Sequence, residues 1–399
     1  MRKGLKSLVV CVGLVFLISG AQAVVKKADL AVKKGKEVKT SVPAAQVKPS
    51  VVEPEEDKLG EYKEEVNLAL ANLKNSIEKV SSDNSDAKVG GQIFFRWQKY
   101  LLNGTATTPN NFDIDRAYID IKKKLDANVS SRVTLDVARI TGAARQNLFD
   151  YLKYAYVEMP LNVSSLQFVP YSVTAKLGLQ HTMWIDWADK QLGLRWIAKS
   201  LLDNESVMSS SDFGVGALGK ISIAGMPEIE YQGTLLNGTG YATNESNSSK
   251  AIALRLNSAV YQNDWLGTLT AAGFANFEAI DSSLNFGSGN NQFGLALSLQ
   301  NDYAKVYGEY IGGRKSSSDI NGFSLGSVFG LYLKGVNGFV RLDNFNPNVN
   351  STNNLRVKSF YGVTYDWGKD VKLSADVQNS QTGNGTMTSI FYLHSSFSY

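Results

Sequence analysis

Arg116-Ala117-Tyr118-Ile119-Asp120-Ile121-Lys122 is the stretch that decides the fold. In an extended chain successive side chains point to opposite sides. Ala117, Ile119 and Ile121 therefore share one face, and Arg116, Tyr118, Asp120 and Lys122 the other. Such a strand needs an apolar medium on one side and water on the other. The same period of two returns in Val133, Leu135 and Val137 against Arg132, Thr134 and Asp136. It returns in Ile252, Leu254 and Leu256 against Arg255 and Asn257, and in Val371, Leu373, Ala375 and Val377 against Lys372, Ser374, Asp376 and Gln378. In hydrocarbon every backbone polar group must be paired within the protein, which strands achieve only by closing on themselves.

The spacing predicts an all-β region over 88–399, a transmembrane antiparallel β-barrel of about 16 strands. The strands are expected to begin near Lys88, Phe112, Val129, Leu148, Val173, Asp212, Met226, Lys250, Asp264, Asn290, Asp302, Asn321, Gly335, Leu355, Asp370 and Thr386. Their connections alternate. Tight ones fall at Asp126 to Asn128, Ala224-Gly225, Asn263 and Gly368-Lys369. Long ones fall at Leu101 to Asn111, Met183 to Ser211, Asn237 to Ser249, Phe277 to Gly289 and Asn344 to Asn354. Long odd connections and short even ones are the layout of a bacterial outer-membrane barrel, with loops outside and turns in the periplasm. The longest, Met183 to Ser211, would be the third external loop.

Both ends of the chain agree. The last strand places Phe391, Leu393, Phe397 and the terminal Tyr399 on one face, which resembles the C-terminal signal read by the barrel-assembly machinery. Residues 1–23 have a basic start (Arg2, Lys3, Lys6), an apolar run from Leu8 to Ile18 and Ala21-Gln22-Ala23, the layout of a cleavable signal peptide. The run is too short for a helical span, which needs about 20 residues. The localisation expected is therefore the outer membrane of a Gram-negative cell, with lipid around the barrel. Trp97, Trp265, Tyr361, Tyr365 and Trp367 near strand ends suit the aromatic girdles at its two surfaces.

Between leader and barrel, 24–57 is rich in Lys, Val, Ala, Pro and Glu without periodicity and reads as a linker. Over 58–82 the residues Leu59, Val66, Leu73 and Val80 recur every seventh position, with Leu70 and Ile77 widening the stripe. That is one amphipathic helix, expected on the periplasmic side: a short coiled coil of an oligomer, a helix packed on the barrel mouth, or a helix marginal alone.

Charge excludes some partners. The 41 basic residues less the three in the leader leave 38 against 37 acidic, so no nucleic-acid partner is expected. The one cysteine, Cys11, lies in the leader, which leaves no disulfide and no thiolate metal site. No phosphate-binding glycine loop occurs and no cofactor is expected. A barrel hydrolase needs a nucleophile beside a base. Only His181 and His394 could act as that base, and neither has a partner suggested by spacing, so no catalytic residue is assigned. Asp113 and Asp115 are compatible with calcium or with a wet wall, and no metal site is assigned. Loops rich in Asn, Ser, Thr and Gly leave an adhesive or structural barrel as a further reading.

Phe112-Asp113-Ile114-Asp115-Arg116-Ala117-Tyr118-Ile119, Ala155-Tyr156-Val157-Glu158 and Ala175-Lys176-Leu177-Gly178-Leu179-Gln180-His181-Thr182 resemble the early strands of the phosphate-selective porins O and P. Asp212-Phe213-Gly214-Val215, and Glu230-Tyr231 running to Asn237-Gly238-Thr239-Gly240-Tyr241, resemble the middle of such barrels. The resemblance implies a homotrimer, an inward-folded third loop, and either passive diffusion of ions and small polar solutes or an oxyanion-selective channel. Phosphate selectivity in that family depends on an arginine ladder and a lysine cluster, which do not carry over residue by residue. Arg96, Arg116, Arg132 and Arg255 are candidates to line the pore, but Asp120, Asp136 and Glu158 share their faces, which predicts weak selectivity. In the third loop Asp186, Asp189, Lys190, Arg195 and Lys199, with Asp203 and Glu205, are the constriction candidates if it folds inward; otherwise it is a lid over the mouth. Trp184, Trp187 and Trp196 either pack it against the wall or form an aromatic solute track.

Overall fold

The computed structural model describes residue 71 and residues 87–102, 110–126, 128–139, 148–161, 171–245, 248–280, 290–351 and 353–399. The leader, the linker and, apart from the helical and exposed Ala71, the helix expected over 58–82 lie outside these residues. The barrel strands are β1 (Ala87–Leu102), β2 (Asn110–Asp126), β3 (Val129–Arg139), β4 (Leu148–Leu161), β5 (Tyr171–His181), β6 (Ser211–Ile221), β7 (Ile229–Leu236) and β8 (Lys250–Asn263). They continue as β9 (Gly267–Ile280), β10 (Asn290–Gln300), β11 (Ala304–Lys315), β12 (Ser318–Gly330), β13 (Val336–Asn346), β14 (Arg356–Trp367), β15 (Val371–Thr382) and β16 (Thr388–Ser398). Each pairs antiparallel with its sequence neighbour, and β1 closes on β16, so the 16 strands form one closed barrel.

Ile252, Leu254 and Leu256 on β8, Phe293, Leu295 and Leu297 on β10, and Tyr361, Val363, Tyr365 and Trp367 on β14 are all exposed on the outside. The alternate residues, among them Arg255, Asn257, Gln292, Ser298, Phe360 and Thr364, are buried on the inside. An apolar exterior around a closed hydrogen-bonded wall is the architecture of an outer-membrane protein.

The strict alternation of long and short connections is corrected at two places. The β11–β12 connection, expected on the long side, is only Ser316-Ser317, both at positive φ (47° and 71°). The β4–β5 connection, expected to be short, spans 162–170. Turn length follows local backbone geometry as well as the side of the membrane, and a two-residue hairpin with both φ values positive closes two strands tightly whichever end it occupies.

Two of the β-bulges reshape the inner wall of β1–β4. Arg116 pairs with Phe94 and Ile114 with Phe95, which leaves Asp115 as the extra residue of β2. Tyr154 pairs with Thr134 and Leu152 with Leu135, which leaves Lys153 as the extra residue of β4. A bulge re-aims the side chains around it. Lys153 and Tyr154 are consequently adjacent in sequence and both buried.

The seam depends on glycine. Gly91 and Tyr399 exchange backbone hydrogen bonds of 3.0 and 3.1 Å, and a Cβ on Gly91 would lie 2.2 Å from the Tyr118 carbonyl oxygen and 2.5 Å from the Tyr399 hydroxyl. Leu393, Phe397 and Tyr399 are exposed, and Phe391 packs edge-on against Trp97 at 6.0 Å.

Candidate functional site

The connection between β5 and β6, residues 182–210, carries two short helices, α1 (Ile185–Leu192) and α2 (Leu201–Asn204). In α1 the residues Ile185, Trp187, Ala188, Gln191 and Leu192 are buried, while Asp186 and Lys190 form an i,i+4 ion pair of 2.7 Å on the other face. Gly193 ends the helix in the left-handed conformation (φ 71°), where its N–H donates to the Asp189 carbonyl. Met183, Trp184, Ile185, Leu201 and Leu202 are almost wholly buried. They join Phe274, Tyr307, Ile311, Phe339, Phe345 and Phe360 of the wall in one apolar cluster.

Polar contacts tie the same segment to inward-facing residues of many strands. Arg255 of β8 donates to the Met183 carbonyl at 3.0 Å, and the Trp184 indole N–H donates to Glu309 of β11 at 2.8 Å. Arg341 of β13 donates to the Lys199 carbonyl at 2.7 Å, and Gln378 of β15 to that of Ile197 at 3.4 Å. Glu205, with its side chain 1% exposed, takes Arg356 at 2.8 Å and Lys358 at 2.6 Å, both from β14. Trp196 meets His394 of β16 edge-on at 6.5 Å. Breaking a buried carboxylate–cation contact strands a charge and costs about 3–5 kcal/mol, less here because Arg356 is 41% exposed.

The charged side of the segment and the wall of β1–β5 are dense in opposed pairs. Arg116 reaches Asp136 at 2.6 Å, Arg132 reaches Asp120 at 2.8 Å, and Lys176 reaches Glu158 at 2.7 Å. Lys153 lies 3.5 Å from Asp136 and over the Tyr118 and Tyr241 rings at 4.9 and 5.5 Å. Within the connection Arg195 spans Asp189 (3.3 Å) and Asp203 (3.6 Å), and Lys199 takes Asp203 at 3.2 Å. Burial pushes the Asp189 carboxyl above its ordinary value although Arg195 pulls it down. At Asp203 burial acts the same way, but Lys199 and Arg195 outweigh it and hold the carboxyl below the usual range. Alternating charges set so closely neutralise one another over a few ångströms.

The lumen-facing candidates thus occupy the inner wall, but with partners that alternation could not reveal. Arg96 is held by Asp115 at 3.0 Å and lies 3.9 Å from Asp113, so the two aspartates converge on a guanidinium. Arg255 is an anchor for the Met183 carbonyl rather than a free wall charge. Trp184, Trp187 and Trp196 are packing residues, each buried to 7% exposure or less. His181 stacks on Tyr154 at 3.8 Å and lies 3.7 Å from Asp186, while His394 lies 3.5 Å from Asp376. Among the described residues neither histidine is hydrogen-bonded to a serine or threonine hydroxyl. Sequence reading missed Lys153, Glu309, Arg341 and Asp343. Glu309 and the Arg341–Asp343 pair (2.5 Å) sit at inward positions that the period of two marks, and could have been found by extending it to β11 and β13. Lys153 could not, because its bulge breaks the period.

Two cavities lie along the inner wall. One of about 370 Å³ lies towards the long connections, between that segment and the walls of β6–β11; Thr182, Lys199, Asn276, Glu278 and Lys315 are among its lining. The other, about 530 Å³, lies at the short-connection end and is lined only by β1–β4.

No family model matches the chain, and no curated protein matches it in sequence. Solved structures do match in fold. OmpT of Vibrio cholerae, expressed in the outer membrane, is similar with a TM-score of 0.51 and 10% identity, over 78% of this chain and 97% of that one. A mutant of the Rh. blastica porin is similar with a TM-score of 0.50 and 13% identity, over 78% of this chain and all of that one. At such identity the likeness speaks for the fold alone: this chain folds as a closed 16-stranded barrel of the outer-membrane porin type.

Proposed function

We propose that the protein is an outer-membrane channel through which ions and small polar solutes diffuse passively, and that residues 182–210 narrow it. The observation that carries this reading is the course of that segment, which leaves β5, enters the barrel and is tied to the inner faces of β8, β11, β13, β14 and β15. A pore narrowed by a folded-in loop sorts solutes by width and by the charges at the narrow level. Here these are Asp186, Asp189, Lys190, Arg195 and Lys199 on the segment and Arg116, Asp120, Arg132 and Asp136 on the wall. Their close pairing supports weak selectivity rather than an open arginine ladder. The leader and the aromatic C-terminal strand support export and insertion by the barrel-assembly machinery. The resemblance in the early strands supports a trimer.

Planar-bilayer conductance of the refolded mature protein tests this. Steady steps, arriving in threes for a trimer, are expected, with a reversal potential near zero in a KCl gradient at about 1 M, where screening is strong. Block by phosphate at low concentration would favour the oxyanion-selective alternative. A folded barrel that conducts nothing refutes the channel reading.

A further inference from the structure

The cavity at the short-connection end holds an arrangement that packing alone does not favour. Lys88 of β1 stands directly opposite Lys122 of β2, and Lys122 directly opposite Arg132 of β3, all at inward positions. Like charges opposite one another in a sheet destabilise it. Two nearby carboxylates do not relieve the row, since Asp120 is taken by Arg132 and Glu158 by Lys176. Lys124 adds a further ammonium to the same lining, and among the described residues Lys88, Lys122 and Lys124 form no ion pair. The cavity beyond residues 182–210 differs in sign: its lining carries two lysines, Lys199 and Lys315, against Asp203, Asp212 and Glu278. Among the described residues that line these two cavities, positive charge without an ion-pair partner is therefore in excess at the short-connection end.

We propose that this mouth is an antechamber that concentrates small anions and so makes the pore conduct unequally in its two directions. The proposal rests on the channel reading and adds to it a polarity along the axis. Three unpaired charges at roughly 7 Å from a permeating ion, screened over about 10 Å at 0.1 M salt, enrich a monovalent anion about fourfold. At about 1 M salt the screening length falls to about 3 Å and the enrichment to about 1.3-fold. Anions driven inward from the enriched mouth carry more current than anions driven towards it, because the reservoir that feeds the narrow level is then the fuller one.

Current–voltage curves of the mature protein in symmetrical KCl test the idea, with orientation assigned by labelling Met226→Cys, in the exposed β6–β7 connection at the same end, from one compartment. At about 0.1 M KCl the current is expected to be larger when the short-connection side is negative, and the asymmetry to vanish at about 1 M. Lys88→Gln/Lys122→Gln/Lys124→Gln should remove it while leaving steady conductance. A conducting channel with symmetrical curves at low salt overturns the proposal, as does asymmetry that survives in the triple variant. Absence of all conductance overturns the channel reading, and this one with it. The salt dependence of the unaltered protein decides the matter even if the variant fails to fold.

Discussion

Trp184→Ala is the perturbation that asks most directly whether residues 182–210 set the width of the pore. The indole is fully buried, packed on Phe274 at 4.5 Å and on Trp187 at 5.0 Å between centroids, and its N–H donates to Glu309 at 2.8 Å. Truncating a buried Trp costs about 3–5 kcal/mol in packing and cavity terms. Leaving the Glu309 carboxylate without its donor adds about 1–3 kcal/mol. A total near 5 kcal/mol corresponds to a shift of about three to four powers of ten in favour of the detached segment. The strand ladder is untouched, so heat-induced unfolding of the barrel, followed by gel mobility, should stay close to that of the unaltered protein. Single-channel recordings should show higher mean conductance and more open-channel noise. Trp184→Phe, which keeps most of the packing and loses the donor, should produce a smaller effect in the same direction. A folded Trp184→Ala barrel with unchanged conductance and noise would refute the reasoning, because the segment would then be held without this anchor or lie off the ion path.

Two further predictions follow from the same geometry. Because burial raises the Asp189 carboxyl while its neighbours lower that of Asp203, acidification protonates Asp189 first and uncovers Arg195; the reversal potential should move towards anion preference with an onset above the ordinary aspartate value of about 3.9. Asp189→Asn should show that preference already at neutral pH and lose this step. At the seam, Gly91→Val would drive a Cβ to 2.2 Å from the Tyr118 carbonyl oxygen. The expected result is a barrel that unfolds at a markedly lower temperature on heating, read by the loss of its compact gel form, and an unchanged unfolding temperature would contradict the close approach.

The wall of the barrel was legible because one physical demand, lipid outside and water inside, acts on every strand and writes a period of two into residues 88–399. Strands beginning at Val129, Leu148, Lys250 and Asn290 start where that period places them. What the period cannot carry is anything that breaks it or crosses the lumen. The bulges at Asp115 and Lys153 put an extra side chain into a strand, and alternation counts straight past them. The anchors of residues 182–210 pair positions far apart in the chain, such as Glu205 with Arg356 and Trp184 with Glu309, and no local spacing announces them. The opposed wall charges were visible as a mixture but not as partners: Arg132 with Asp120 and Arg116 with Asp136 are cross-strand neighbours only once the register is known.

The β1–β16 seam has a kinetic meaning as well. Gln92 pairs with Ser398 across 306 positions of sequence, whereas every other neighbouring pair in the wall is joined by a hairpin or a single connection. Contacts so distant along the chain pay their loop-closure entropy before they return anything, and they form late. Assembly should therefore run as a growing open sheet whose two free edges meet last. Until they meet, β1 and β16 both expose unpaired backbone groups, which makes the nearly finished sheet the species most prone to pair with a second copy of itself.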